Sequence, residues 1–117
     1  MKKTFTLLML FFGMVMICQS QVSNINQAQS LYIYNFSRLI QWPAGNQTGD
    51  FVIGVIGNDA LYKSLITYVS NKKVGSQPIV IKNFDNPESV TRCHMIFIGN
   101  GKVAAFDEVA NRLRGSN

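Results

Sequence analysis

The sequence predicts an α/β fold, a small and mainly parallel sheet with flanking helices, and three observations predict it. Phe51-Val52-Ile53-Gly54-Val55-Ile56 is an unbroken apolar run, the pattern of a strand buried on both faces. Short apolar runs of this kind alternate along the chain with segments of helical period, as in βαβ units. A Trp42-Pro43 step separates the first helical segment from the first strand. Proline lacks an amide hydrogen and pushes the residue before it out of the α region, so that helix must stop there.

The first twenty residues read as an address. Lys2 and Lys3 form a basic start, Phe5 to Ile17 is apolar, and Cys18 and Ser20 are small residues at a cleavage step. The apolar run is shorter than the ~20 residues that a membrane span needs. The reading is a signal peptide over residues 1–20, cut after Ser20 and followed by one domain over residues 21–117. Lipid attachment at Cys18 is the competing reading, and Val15, Met16 and Ile17 before it are bulkier than lipoprotein signals carry. Export followed by cleavage places the mature chain in the periplasm, without membrane insertion of its own.

The mature domain should open with a helix from about Asn24 to Ile40, with Asn24 as its N-cap. Ile25, Ala28, Tyr32, Phe36, Leu39 and Ile40 recur at three- and four-residue steps, which assigns them to one inward stripe. Leu31 and Tyr34 widen it, so the helix should be covered on more than one side. Ala44 to Gly49 is loop-like, and Phe51 to Ile56 is the first strand. Gly57-Asn58-Asp59 turns into a second helix from Ala60 to about Asn71, capped by Asp59, with Leu61, Leu65, Tyr68 and Val69 inward.

Lys72 to Gln77 reads as a turn, and Pro78 leads into a strand from Ile79 to Phe84. Asp85-Asn86-Pro87 ends that strand and starts a helical turn. His94 to Ile98 is the third strand. Gly99-Asn100-Gly101 then opens a last helix, with Phe106, Val109, Ala110 and Leu113 on one face and Gly115 at its end. Parallel crossovers between such strands are right-handed. Three short strands would leave two open sheet edges, so the expected domain is incomplete, truncated at its C-terminal end.

The formal charge of the sequence is +5, and losing Lys2 and Lys3 leaves nine basic against six acidic residues. No basic cluster exceeds two adjacent residues, which gives no footprint for nucleic acid. Cys93 is the sole cysteine once Cys18 leaves with the signal. It directly precedes an apolar strand, and free cysteine packs as a small hydrophobe.

Chemistry is sparse. Gly99-Asn100-Gly101-Lys102 is too short for a phosphate loop and is followed by Val103 rather than Ser or Thr. Ala104 occupies the third glycine position of a dinucleotide fingerprint, so a tight turn is the better account. Gly54 is read as close packing against a helix and Gly57 as a turn. His94 is the only histidine, and its neighbour Cys93 should point to the opposite face of a strand, which disfavours a shared metal or a Cys-His pair. Asp107 and Glu108 belong to the outer face of the last helix. No residue set supports an enzyme, a cofactor or a metal.

One constellation has binding character. Tyr34, Arg38 and Trp42 are spaced by four on the first helix, where Arg38 can stack on either ring. These residue types often anchor protein interfaces. The plainer alternative places Trp42 in the core with Arg38 covering it.

At these residues the chain resembles the YfiR-like family of small periplasmic proteins. The matching segments are YNFSRLIQWP at Tyr34 to Pro43, FVIGVIGND at Phe51 to Asp59, and RCHMIFIG at Arg92 to Gly99. The turn and strand from Lys73-Val74 to Ile79-Val80 also fit. The resemblance implies a non-catalytic protein that restrains a membrane-bound diguanylate cyclase through its periplasmic part, lowering cyclic-di-GMP and biofilm formation. It also implies further strands and a helix after Asn117. Disulfides matter in that family, yet Cys93 has no visible partner here, which leaves a buried thiol, an intermolecular pair or a partner beyond this sequence as the readings. The reading leaves a homodimer open. The alternative function is a periplasmic small-ligand-binding or sensor domain using the strand ends near Gly57 and Gly99.

Overall fold

A computed structural model describes Lys3 and residues 20–114. The expected signal lies outside the described residues, except for Lys3 and Ser20, and so does the Gly115 helix stop. The described chain runs α1 (Ser20–Leu39), a 3-10 turn (Ala44–Asn46), β1 (Phe51–Ile56) and α2 (Asp59–Val69). It continues with β2 (Lys73–Val74), β3 (Gln77–Phe84), a 3-10 turn (Pro87–Ser89) and β4 (Met95–Ile98). A longer 3-10 stretch (Asn100–Ala105) leads into α3 (Phe106–Arg114). The fold is a small α/β domain.

Four strands form one sheet in the order β2-β3-β1-β4. β1 lies between β3 and β4 and pairs with both in parallel, Phe51 opposite Ile79 and Ile53 opposite Met95. Its central place explains its composition, because a strand covered on both faces has no polar side to show. Phe51, Ile53 and Val55 point to the layer made by α1 and α2, where Leu61 and Leu65 complete the core. Ile56 points the other way, into a second core with Phe84, Val90 and Val109 of α3.

β2 is an addition to the expected sheet. The segment read as a turn is a tight hairpin in which Lys73 pairs with Pro78 and Val74 with Gln77. Gly75 has φ 59° while Ser76 stays at negative φ, the signature of a type II′ turn with glycine first. A two-residue strand is too short to show a period, so only the glycine announced it. β3 accordingly starts two residues early, at Gln77.

α1 differs from expectation in an instructive way. It begins at Ser20, so Asn24 lies within the helix and does not cap it. Ile25, Ala28, Tyr32, Phe36, Leu39 and Ile40, assigned to the core by their spacing, face solvent. The buried face carries Ser30 and Ser37, with Ile33 reaching both cores beneath α1. Ser30 donates to the Asn26 carbonyl at 2.8 Å and accepts from the Ser64 hydroxyl of α2 at 3.1 Å, and Ser37 donates to the Tyr34 carbonyl at 2.6 Å. Hydroxyls satisfied in this way bury at little cost, and their small size lets α1 and α2 approach closely.

Smaller corrections concern single residues. Asn58, not Asp59, caps α2, accepting from the Leu61 amide. Asp59 instead accepts from the Asn83 side chain at 3.0 Å. Gly54 packs against the Phe84 ring and Cys93 Sγ rather than a helix. In α3, Val109 is buried and Leu113 packs beside it, but Phe106, at the first position of the helix, is exposed.

Candidate functional site

The ends of α1 and α2 lie side by side, and the sequence-predicted residues gather there. Arg38 sits over the Tyr34 ring, 5.4 Å from its centroid. Tyr34 meets Tyr68 of α2 edge to face, at 6.0 Å. Lys72, just past the end of α2, lies 4.4 Å from the centre of the Tyr68 ring and 5.9 Å from that of Tyr34. Two cations and two tyrosines therefore form one continuous surface patch.

Each half of this patch follows from helical spacing. Tyr34 and Arg38 are four apart, as are Tyr68 and Lys72, and such residues are neighbours along a helix. Lys72 Nζ also donates to the Tyr68 carbonyl at 2.9 Å, which satisfies an orphan acceptor of the last turn. The same spacing marks both pairs, although only Tyr34 and Arg38 are expected from the sequence to form a contact surface. Tyr68, expected inward, is half-buried.

Trp42 leaves the patch. Its indole packs edge to face on Phe51 at 5.1 Å and against the core built by Phe51, Ile53 and Val74. Its Nε1 donates to the Ser37 carbonyl at 2.8 Å, so the chain folds back over the end of α1. Arg38 and Trp42 meet again as walls of a shallow groove of about 230 Å³, closed on the far side by the Val74–Gln77 hairpin. The patch and this groove adjoin each other at Arg38.

Beneath Trp42, His94 is committed to structure. Its Nδ1 accepts from the Val52 amide at 3.0 Å, and its backbone amide donates to the Val52 carbonyl at 2.8 Å. With Nδ1 as acceptor, Nε2 carries the proton and donates to the Asn46 carbonyl at 3.0 Å. Gln77 donates to that same carbonyl at 3.1 Å, and Arg92 to the Asn46 side-chain oxygen at 2.8 Å. Both histidine nitrogens are thus occupied by backbone.

Cys93 is half-buried, and its Sγ donates to the Thr91 carbonyl at 3.2 Å. Burial pushes its thiol above the ordinary value, with the Lys82 ammonium partly offsetting that rise. Among the described residues no group of three His, Cys, Asp or Glu side chains stands close enough to hold a metal ion. Among the same residues no helix is long and apolar enough to cross a membrane.

A family model described as YfiR/HmsC-like matches residues 26–117. The chain belongs to the YfiR/HmsC-like family. The match takes in the patch, the groove, the four strands and the His94 turn. No curated protein and no solved structure matches the chain significantly.

Proposed function

We propose that this chain is a non-catalytic periplasmic regulator that binds the periplasmic part of a membrane-bound signalling protein and restrains it. The partner in this reading is a diguanylate cyclase, and the output is lower cyclic-di-GMP and less biofilm. Membership of the YfiR/HmsC-like family supports the class of function. The observation that carries the contact is the Arg38–Tyr34–Tyr68–Lys72 patch. It presents cations over aromatic faces at a helix end, which suits an acidic segment of a partner.

Regulation of this kind is stoichiometric. Docking shifts the partner between two states only by as much as it prefers one of them. The ring contacts hold Tyr34 and Tyr68 in place before binding, which lowers the ordering cost of association. The test is co-purification with membrane cyclases from the source cells, with cyclic-di-GMP measured in the same cells. Deleting the gene should raise cyclic-di-GMP, and restoring it should lower the level again. Unchanged cyclic-di-GMP in both strains would sink the cyclase reading.

A further inference from the structure

His94 can hold the Asn46 turn in this arrangement only while its ring is neutral. Nδ1 accepts from the Val52 amide at 3.0 Å, and Nε2 donates to the Asn46 carbonyl at 3.0 Å. The first of these bonds needs a lone pair on Nδ1, and an imidazolium has none, since both of its nitrogens carry protons. Proton uptake would therefore set N–H against N–H and leave the Val52 amide without its acceptor. A charged ring has to give up its place.

Among the described residues, nothing around the ring offsets such a charge. Phe51 of β1 stacks on it, Trp42 meets its edge, and the core about Phe51 adds only apolar side chains such as Ile33, Ile79 and Met95. The Ala44–Asn46 turn is uncharged, and so is Gln77 of β3. Asp50, just before β1, is exposed and makes no bond to the ring. Cys93, the preceding residue, lies against Gly54 on the far face of the sheet, and burial favours its neutral thiol. The charge nearest in the bonding network is Arg92, which donates to the Asn46 side chain at 2.8 Å, and one cation opposes another.

Two contacts link the ring to the groove beside the Val74–Gln77 hairpin. Trp42, one wall of that groove, meets His94 edge to face at 5.9 Å. Gln77, in the opposite wall, donates to the same Asn46 carbonyl that Nε2 holds. We propose that His94 is a proton-operated switch on this groove. Neutral, it keeps the groove walls together. On taking a proton from solvent at Nδ1 it leaves the Val52 amide, frees the Asn46 turn and lets Trp42 and Gln77 move apart. His94 is the only histidine of the chain, and histidine ordinarily changes charge between about pH 5 and 8. What the switch does to a partner rests on the function proposed above, in which Arg38, a wall of the same groove, meets an acidic segment. In that reading acid loosens the contact surface and lifts the restraint. The switch itself is measured on the chain alone, so the two readings fail separately.

The experiment follows the fluorescence of Trp42, the only tryptophan, as the purified chain is taken from about pH 8 to about pH 5. The Val52 amide and the Gln77 side-chain amide are read by nuclear magnetic resonance in the same titration. The expected result is one reversible, one-proton transition shared by all three signals. Stability carries the same sign: the closed fold holds the neutral ring, so the folding constant falls as pH falls, by up to about tenfold per pH unit. His94→Asn offers an oxygen and takes up no proton, so it should abolish the transition. Arg92→Gln should move the midpoint to higher pH, because it removes the neighbouring cation. The proposal is overturned if Trp42 and the Val52 amide stay flat across the range, or if the transition persists in His94→Asn. Should His94→Asn fail to fold, an unmoved midpoint in Arg92→Gln overturns it as well.

Discussion

His94 replaces a rung of the sheet ladder with its own side chain. Its backbone amide donates to the Val52 carbonyl, and its ring Nδ1 takes the Val52 amide that a strand carbonyl would otherwise accept. The ring then stacks on Phe51, 4.5 Å between centres, and its Nε2 fixes the Asn46 turn. β1, β4 and the loop after Trp42 meet at this one imidazole.

His94→Ala should therefore cost about 1 to 3 kcal/mol, because it leaves the Val52 amide without its acceptor. His94→Asn, which can place an oxygen near the Nδ1 position, should recover part of the loss. Denaturant titration gives the stabilities, and amide exchange at Val52 gives the mechanism. Unaltered exchange at Val52 in His94→Ala would contradict this account.

Gly54 has no room for a side chain. A Cβ there would lie 2.7 Å from the Phe84 ring and 3.0 Å from Cys93 Sγ. Gly54→Ala should destabilise the domain by about 1 to 3 kcal/mol through overpacking. Adding Phe84→Leu should be less harmful in the Gly54→Ala background than in the wild type, since the ring is the closest obstacle. A double-mutant cycle on melting or denaturant curves reads that coupling.

The sequence made the sheet legible wherever burial leaves no alternative. β1 was bounded correctly, since Phe51 to Ile56 is apolar at every position but Gly54. The α2 face was legible too, because Leu61, Leu65 and Val69 stand against a polar opposite side. α1 misled because it is uncharged around almost its whole circumference. Spacing then picks the larger residues, whereas packing picked Ser30 and Ser37 for close approach to α2. Half of the candidate site was legible for a similar reason. Tyr34 and Arg38 share one helix, but their meeting with Tyr68 and Lys72 depends on how two helices pack.

Cys93 should be a sluggish nucleophile. Burial raises its thiol above the ordinary value, so less thiolate exists at pH 8 than in the unfolded chain. The sign for stability follows: the folded state holds the proton more tightly. This contribution is full below the unfolded thiol value and is lost as pH rises through the folded one. Labelling with a chromogenic disulfide at pH 8 should run slower in the native chain than in denaturant, and accelerate as pH increases. Equal rates in both states would show the thiol to be free of its surroundings.

Arg38 and Trp42 separate contact from architecture, although both line the groove beside the hairpin. Arg38 is exposed and lies over the Tyr34 face, so Arg38→Glu should leave the melt nearly unchanged. The substitution reverses charge in the patch proposed to meet an acidic partner. Partner binding should weaken by about 2 kcal/mol or more, roughly thirtyfold. Trp42 rests on Phe51 and ties back to Ser37, so Trp42→Ala should cost about 3 to 5 kcal/mol of stability. That is a large share of what so small a domain has to lose. Melting and partner pull-down on both variants give the answer together. Normal binding by Arg38→Glu would remove the patch from the interface, and an unchanged melt for Trp42→Ala would remove the indole from the core.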